Sequence, residues 1–148
     1  IEGGAMSIRT GQCLCGAVKR RATLPGSAIE SCHCVQCQRW TGGGAYHAIL
    51  ADDLQVEGKD NVRTYRASDW GERANCATCG SPLWWRLQGR PVRMIAVGLL
   101  DDQSGLTVTD EIFTDRRAPW MPVHAGATQA TEAEKQSELR EFLESTHD

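Results

Sequence analysis

Seven cysteines in three short groups constrain this 148-residue chain more than any other feature. Seven thiols cannot pair completely into disulfides within one chain. Four thiolates close a tetrahedral zinc site, whereas three leave one coordination position open for another ligand. The count therefore predicts one structural zinc and one zinc that can meet a substrate. The members are Cys13 and Cys15 in the first group, Cys32, Cys34 and Cys37 in the second, and Cys76 and Cys79 in the third.

These groups have the spacing of metal ligands. Cys76 and Cys79 form a C-x-x-C knuckle followed by Gly80, which tolerates the positive φ that a tight turn needs. The C-x-C groups grip differently, because residues i and i+2 of an extended chain point to the same face. A single cysteine often packs as a small hydrophobic residue, but chance does not produce three such groups. Thiolate ligands without a redox partner favour zinc, with iron as the alternative.

Two pairings of the groups remain open. One joins Cys34 and Cys37 to the third group, as in a ribbon of two knuckles, and leaves Cys13, Cys15 and Cys32 for the open site. The other joins the first group to the third and leaves the whole second group for the open site. The second pairing has a physical advantage, because ligands on one short loop are preorganised by that loop.

The composition is typical of a globular domain and argues against two classes of partner. Hydrophobic residues make up 41% and charged residues 24% of the chain. The net charge is −3 and the 16 basic residues form no long run, so a nucleic acid is not an expected partner. No apolar run approaches the roughly 18 to 20 residues that span a bilayer, so a membrane is not expected either. A homo-oligomer is compatible with the sequence.

The start of the chain bears on its compartment. Residues 1–5, before Met6, are interpreted as a tag remnant. No signal peptide follows, so the chain is expected in the cytoplasm. Thiols stay reduced there, which favours metal binding over disulfides.

Turn residues divide most of the chain into short strands, so the expected fold class is mainly β. Residues 6–125 are interpreted as one zinc-binding β domain and residues 126–148 as a helical extension. The predicted strands cover residues 17–24, 45–50, 54–56, 62–66, 82–87, 92–100 and 112–113.

The extension is predicted to form one amphipathic helix over residues 131–146. Thr131 and Glu134 have the spacing of a capping box at its start. Leu139, Phe142 and Leu143 recur at helical spacing and form one apolar stripe. We expect this stripe to pack on the sheet or on a partner subunit.

Three segments carry a close resemblance to one protein family. They are GQCLCGAV at 11–18, CHCVQCQRWTG at 32–42 and CATCGSPL at 76–83, and Pro119-Trp120 matches a later family element. Together they resemble the glutathione-dependent formaldehyde-activating enzyme family over residues 11–120. The resemblance implies a β-tent fold of short antiparallel strands around a structural zinc.

The resemblance also implies a site and a reaction. It implies a structural zinc on the first and third groups, and a catalytic, labile zinc on Cys32, Cys34 and Cys37, which are then the catalytic residues. The implied activity is that of a carbon–sulfur lyase that joins formaldehyde and its co-substrate glutathione into S-hydroxymethylglutathione. The chain departs from the family at Asn75, where an aromatic residue is common, and at Glu111, where histidine is common.

A zinc held by three thiolates suits a thiol substrate. Thiolate charge makes the metal a weak Lewis acid, so hydrolysis is not its natural use. A substrate thiol can instead bind as the fourth soft ligand, in its thiolate form. Exchange of the C–S bond then needs a proton donor. The candidates are His33, His47 and Glu111.

Other residues near the cysteines are candidates for binding glutathione. Glutathione carries two carboxylates, and an arginine fork binds a carboxylate well. Arg39 follows the second group and Arg73 precedes the third, so both are expected to bind these carboxylates. Thr41 and Gly42 begin a glycine-rich loop that offers backbone amides to the same ligand.

Two functions of other classes compete with the lyase. The chain is a non-catalytic β scaffold, stabilised by zinc, if the open site binds no second metal. It is a redox protein if the second cysteine group cycles between thiols and a disulfide. Metal content separates the first from the lyase, and reductant-dependent activity without metal identifies the second.

Overall fold

The computed structural model describes residues 5–145 and has the mainly β fold that the sequence predicts. Residues 1–4 of the predicted tag remnant, and residue 146 at the end of the predicted C-terminal helix, lie outside the described residues. The α-helices within these residues are α1 (Val35–Thr41) and α2 (Glu132–Ser145). The strands are β1 (Ser7–Gln12), β2 (Lys19–Leu24), β3 (Ala28–Cys32), β4 (Tyr46–Ala51), β5 (Asp53–Glu57), β6 (Val62–Tyr65), β7 (Gly71–Cys76), β8 (Pro82–Leu87), β9 (Arg93–Ala96), β10 (Thr107–Ile112) and β11 (Thr128–Ala130).

The chain divides into two compact units, which we describe separately. The first unit comprises Ile1–Ile29 and His47–Thr107, and the second comprises Glu30–Tyr46 and Val108–Asp148. The predicted boundary between a β domain and a helical extension, at residue 125, falls inside the second unit. That division therefore stays a prediction.

In the first unit, two sets of antiparallel strands enclose a core. One set has the order β1-β2-β5 and the other the order β4-β9-β8-β7-β6. Gly11 brings β1 close to the chain that follows β9, since a Cβ there would lie 2.3 Å from the carbonyl oxygen of Leu99. Two cysteines belong to the core, so the fold buries part of the thiol chemistry. The buried core members include Cys13, Val18, Leu24, Ile49, Cys76, Leu83 and Ile95.

The predicted strand over residues 92–100 is shorter in the structure. It ends at Ala96, and a 3-10 turn, Val97–Leu99, follows. Gly98 lies inside this turn, and glycine weakens a strand interior because it has no side chain to pack. Of the strand predicted over residues 92–100, only Arg93–Ala96 is a strand in the structure.

The second unit places β10 between β3 and β11. The pairing of β10 with β11 is parallel, an exception to the predicted antiparallel arrangement. The predicted strand at residues 112–113 is the end of the longer β10, and Phe113 leaves it with a φ of +56°. One residue beyond the end of β3, the backbone N–H of His33 donates to the carbonyl of Ile112 at 3.0 Å. Helix α1, which the sequence did not predict, begins inside the second cysteine group.

The C-terminal helix begins where the capping box predicts. The Glu134 carboxylate accepts from the backbone N–H of Thr131 at 2.8 Å, and the Thr131 hydroxyl accepts from the N–H of Glu134 at 3.2 Å. The first turn is held to the same unit, because the backbone N–H of Glu132 donates to Asp115 at 2.8 Å. Within Glu132–Ser145 no residue is buried, and Phe142 is exposed. Leu139 and Leu143 are half-buried, and Lys135 Nζ lies 3.7 Å from the Glu30 carboxylate of β3, so packing of the whole apolar stripe on the sheet stays a prediction.

Neither described helix has the length and apolar character that crossing a bilayer requires.

Candidate metal centres

The structure brings the first and third cysteine groups together in the first unit. The four Sγ atoms lie within 4.8 Å of one another, and we call this set the four-thiol cluster. The Cys13 and Cys15 sulfurs are 3.7 Å apart, and those of Cys15 and Cys76 are 3.8 Å apart. Zinc–sulfur bonds of about 2.3 Å in a tetrahedron imply sulfur separations of about 3.8 Å. The donor set therefore fits one tetrahedral zinc, and the arrangement is the second of the two pairings considered above.

Tight turns shape the four-thiol cluster. The knuckle of the third group is the turn between β7 and β8, where Gly80 has a φ of +81° and donates its N–H to the Cys76 carbonyl at 2.9 Å. The backbone N–H of Cys79 points at the Cys76 sulfur at 3.5 Å. In the first group the N–H of Val18 donates to the Cys13 sulfur at 3.3 Å. Such donors stabilise negative charge on sulfur.

Two polar side chains at this cluster were missed by sequence reasoning. The Asn61 amide donates to the Cys76 sulfur at 3.1 Å and to the Thr78 hydroxyl at 2.9 Å. The Ser81 hydroxyl lies 3.2 Å from the Cys79 sulfur, and its hydrogen bond, together with a backbone bond from Ser81, lowers the pKa of Cys79 to about 5. Ser81 was within reach of sequence reasoning, because it lies two residues after a ligand. Asn61 carries no such signal.

The second cysteine group forms a cluster of its own in the second unit. The sulfurs of Cys32, Cys34 and Cys37 lie within 4.8 Å of one another, and we call them the three-thiol cluster. Cys34 caps helix α1, because its sulfur accepts from the backbone N–H of Cys37 at 3.2 Å. Cys37 is buried, whereas Cys32 and Cys34 are partly exposed.

The three thiols oppose one another's ionisation. Hydrogen bonding to Cys34 and Cys37, then burial, raises the pKa of Cys32 far above its ordinary value. A soft cation would relieve this repulsion, and thiolate ligands select zinc. The donor set thus fits a zinc ion with one coordination position left over.

Glu111 and His33 form a buried pair behind this cluster. His33 Nε2 lies 2.6 Å from Glu111 Oε1, and both side chains are completely buried. Burial raises the pKa of Glu111, but bonds from the Gln129 side chain, the His124 backbone and His33 lower it to about 2. A carboxylate with that pKa carries no proton at neutral pH. We therefore do not retain Glu111 as a proton donor.

Three of the residues predicted to bind glutathione, Arg39, Thr41 and Gly42, lie on α1 or at its end. Arg39 is exposed on α1, two residues after Cys37. The Thr41 hydroxyl donates to the carbonyls of Cys37 and Ala45, at 3.1 and 3.0 Å, and Gly42 donates its N–H to Gln38 at 2.8 Å. Both groups therefore close the end of α1, and ligand binding by them stays a prediction.

Two further predicted residues lie in the first unit. Arg73 is 6% exposed in β7, and His47 is half-buried in β4. Their roles as carboxylate ligand and proton donor stay predictions. Asn75, one of the departures from the family, lies beside Cys76 and donates its side-chain amide to the Cys76 carbonyl at 3.1 Å.

An aromatic contact fixes the loop after α1. The Trp120 indole is 69% exposed, yet its edge lies against the backbone of Gly44. A Cβ at Gly44 would lie 2.5 Å from Trp120 Cη2. This contact joins the Pro119-Trp120 element to the glycine-rich loop, a relation that the sequence did not predict.

Fold and site together define a mainly β protein with one four-thiol and one three-thiol cluster. The model of the glutathione-dependent formaldehyde-activating enzyme family matches residues 8–116. The chain belongs to this family, as the resemblance indicated.

Individual relatives agree with that placement. A Halomonas elongata protein, provisionally named a glutathione-dependent formaldehyde-activating enzyme, is 37% identical over 50% of this chain and 53% of its own. A Schizosaccharomyces pombe protein, named an uncharacterized lyase, is 29% identical over 51% of this chain and 55% of its own. The chain thus spans about half the length of these two curated relatives.

A solved structure has the same fold. The crystal structure of a Rhodobacter sphaeroides protein aligns with a TM-score of 0.55 and 23% identity, covering 82% of this chain and 99% of that one. At this level of identity the likeness concerns the fold alone.

Proposed function

We propose that this protein is a zinc-dependent carbon–sulfur lyase that acts on a thiol adduct, with S-hydroxymethylglutathione as the first candidate. The observation that carries the proposal is the three-thiol cluster between the end of β3 and the start of α1, with Cys32 and Cys34 partly exposed. Family membership and the names of the relatives support lyase chemistry and glutathione as co-substrate. A reducing compartment such as the cytoplasm would keep all seven thiols available.

The residues have separate tasks in this proposal. The four-thiol cluster holds a structural zinc, and Cys32, Cys34 and Cys37 hold the catalytic one. That second zinc supplies a soft Lewis acid that stabilises the substrate sulfur as thiolate. Arg39, exposed on α1, binds a carboxylate of glutathione.

The reaction is redox-neutral. When the adduct breaks, the C–S electron pair stays on sulfur, the hydroxyl proton leaves, and the carbon becomes the carbonyl of formaldehyde. A proton joins the sulfur when glutathione is released. His33 and Glu111 are fully buried, so we assign these proton transfers to solvent water rather than to either side chain.

An exchange experiment tests the reaction directly. Formaldehyde labelled with ¹³C is mixed with glutathione, and the interconversion of free formaldehyde and adduct is measured by NMR exchange. We expect the wild type to accelerate the exchange and Cys37→Ser to abolish the acceleration. Arg39→Ala should raise KM more than it lowers kcat, because it removes binding away from the reacting atoms. A fully zinc-loaded wild type that leaves the exchange rate unchanged would contradict the lyase proposal.

A non-catalytic scaffold is the second candidate. Cys13 and Cys76 belong to the hydrophobic core of the first unit, which is the place of a purely structural metal. The scaffold predicts one tightly held zinc per chain and a three-thiol cluster that reacts freely with alkylating reagents. The lyase predicts a second zinc and protection of Cys32, Cys34 and Cys37.

A further inference from the structure

Glu111 is a buried junction between separate stretches of the second unit. Its carboxylate lies at the end of β10 and is completely inaccessible to solvent. The groups directed at it are His33 Nε2 at 2.6 Å, the His124 N–H at 2.8 Å, Gln129 Nε2 at 3.1 Å, Arg117 Nη2 at 3.3 Å and His124 Nδ1 at 3.6 Å. The carboxylate therefore has the partners that a buried charge requires.

The contact with His33 reaches the three-thiol cluster through the backbone. His33 lies between Cys32 and Cys34, and its own N–H donates to Ile112 at 3.0 Å. Its carbonyl accepts from the Gln38 amide at 2.8 Å, and the same amide donates to the Arg116 carbonyl at 2.8 Å. The residue between two thiols is thus fixed at its N–H, its carbonyl and its ring.

Glu111 makes the closest contact to the His33 ring. The Ser31 hydroxyl lies at 3.4 Å from Nε2, much farther than the carboxylate. Nδ1 is buried and has no hydrogen-bond partner among the described residues. Loss of the carboxylate would leave the ring without its main orienting bond, inside a site that gives it no alternative partner on Nδ1.

We propose that Glu111 is a positioning residue that acts through His33 to hold Cys32 and Cys34 in the arrangement that binds metal. The inference rests on the proposed metal site at the three-thiol cluster and assigns part of its affinity to a side chain that touches neither metal nor substrate. Outer partners of metal ligands commonly contribute 10- to 100-fold in affinity. Glu111 acts at one further remove, so we expect about 10-fold.

The test uses zinc release from the loaded, full-length protein. Wild type, Glu111→Ala and Glu111→Asp are challenged with increasing chelator, and released zinc is measured with an indicator dye. Alkylation followed by peptide mass analysis then shows which thiols each release step exposes. The four-thiol cluster serves as the internal reference, because general destabilisation would affect both release steps.

We expect Glu111→Ala to release zinc from the three-thiol cluster at about 10-fold lower chelator and to leave the four-thiol step unchanged. Glu138→Gln is the matched control, since it removes an exposed ion pair with Lys135 (2.9 Å) on α2 in the same unit and should change neither step. If Glu111→Ala does not fold, Glu111→Asp carries the test, because the shorter carboxylate cannot keep the 2.6 Å contact with His33.

Three results would overturn the inference. Two zinc ions with unaltered release steps in the variants would refute the role of Glu111 and leave the lyase proposal standing. An equal shift of both steps would make Glu111 a general stabilising residue. A wild type that binds one zinc per chain would refute both the metal site and this inference.

Discussion

The Ser81 hydroxyl bridges the two halves of the four-thiol cluster. It lies 3.2 Å from the Cys79 sulfur and accepts the backbone N–H of Leu14 at 3.1 Å. One small side chain therefore contacts both the third cysteine group and the turn of the first. Its hydrogen bond is the main reason why the pKa of Cys79 falls to about 5.

Ser81→Ala should weaken zinc binding at the four-thiol cluster, most strongly near pH 6. A lowered thiol pKa means that the thiolate is already formed, so zinc displaces fewer protons. Without the hydroxyl, the Cys79 pKa moves back towards 9.0 and protons compete with zinc up to higher pH. Chelator competition from pH 5.5 to 8 should show the midpoint of zinc release shifted to higher pH.

The lowered pKa of Cys79 also makes the free energy of unfolding depend on pH. In the metal-free cluster the folded pKa of Cys79 lies below its ordinary value, so the thiolate favours folding fully above pH 9, progressively less as pH falls, and not at all below pH 5. Ser104→Ala is the control, since it removes a hydroxyl bond to Asp102 in the same unit but far from any thiol in sequence. Identical pH midpoints for wild type and Ser81→Ala would contradict the role assigned to this hydroxyl.

Cys37→Ser and Cys76→Ser should have opposite consequences. Cys37→Ser should lose one zinc and all activity but keep its fold, because the three-thiol cluster is confined to the end of β3 and the start of α1. Cys76→Ser should unfold or aggregate, because it opens a buried cluster whose zinc contributes on the order of 10 kcal/mol to folding. Thermal unfolding and zinc content of both variants check this. A Cys76→Ser protein that melts like the parent would show that the four-thiol cluster is not structural.

Gly44→Ala should displace Trp120 and destabilise the second unit. Its Cβ would lie 2.5 Å from the indole, and its φ of +89° is one that alanine rarely adopts. We expect a loss of about 1 to 3 kcal/mol in the free energy of unfolding, with a change in tryptophan fluorescence.

Gly43→Ala is the matched control for that substitution. A Cβ there meets only the Thr41 hydroxyl, at 3.8 Å, and its φ lies outside the left-handed region. It should therefore be nearly neutral. Removal of the indole in Gly44→Ala/Trp120→Ala should recover the steric part of the loss and leave the backbone part. Equal stability of Gly43→Ala and Gly44→Ala would refute the contact between Gly44 and Trp120.

Thr131→Ala should fray α2 without unfolding the rest of the chain. The hydroxyl accepts the N–H of Glu134, and loss of such a cap costs about 1 kcal/mol. Ala133 and Glu134 in the first turn are exposed, so little packing opposes fraying at that end. Amide hydrogen exchange in the first turn should accelerate about fivefold, whereas Ser137→Ala, in the exposed middle of the helix, should not accelerate it.

Helices and strands were predicted correctly where their own side chains form a recognisable local pattern. β8 was predicted with its observed bounds because Leu83, Trp84 and Trp85 follow Pro82, and α2 because of its capping box. β7 was missed, since its buried residues are Gly71, Arg73, Ala74 and Cys76, and none has a strong strand preference. α1 was missed because a cysteine sulfur, rather than a serine or aspartate oxygen, caps it.

In the candidate site, too, residues with a local motif were predicted and residues joined only by the tertiary fold were missed. The thiols of each cluster follow from motif spacing together with the family resemblance. The pair of His33 and Glu111 does not, because 78 residues separate its members and no local motif joins them. Asn61 is similar, since its contact with Cys76 depends on the tertiary fold rather than on a local pattern.

Zinc stoichiometry combined with thiol mapping distinguishes a two-zinc enzyme from a one-zinc scaffold in one sample. Native mass spectrometry of protein purified without chelators gives the zinc count, and alkylation of the same sample identifies the protected cysteines. We expect two zinc ions per chain with all seven thiols protected, and a glutathione adduct that is lost in Cys37→Ser. One zinc per chain, with Cys32, Cys34 and Cys37 freely alkylated, would contradict it.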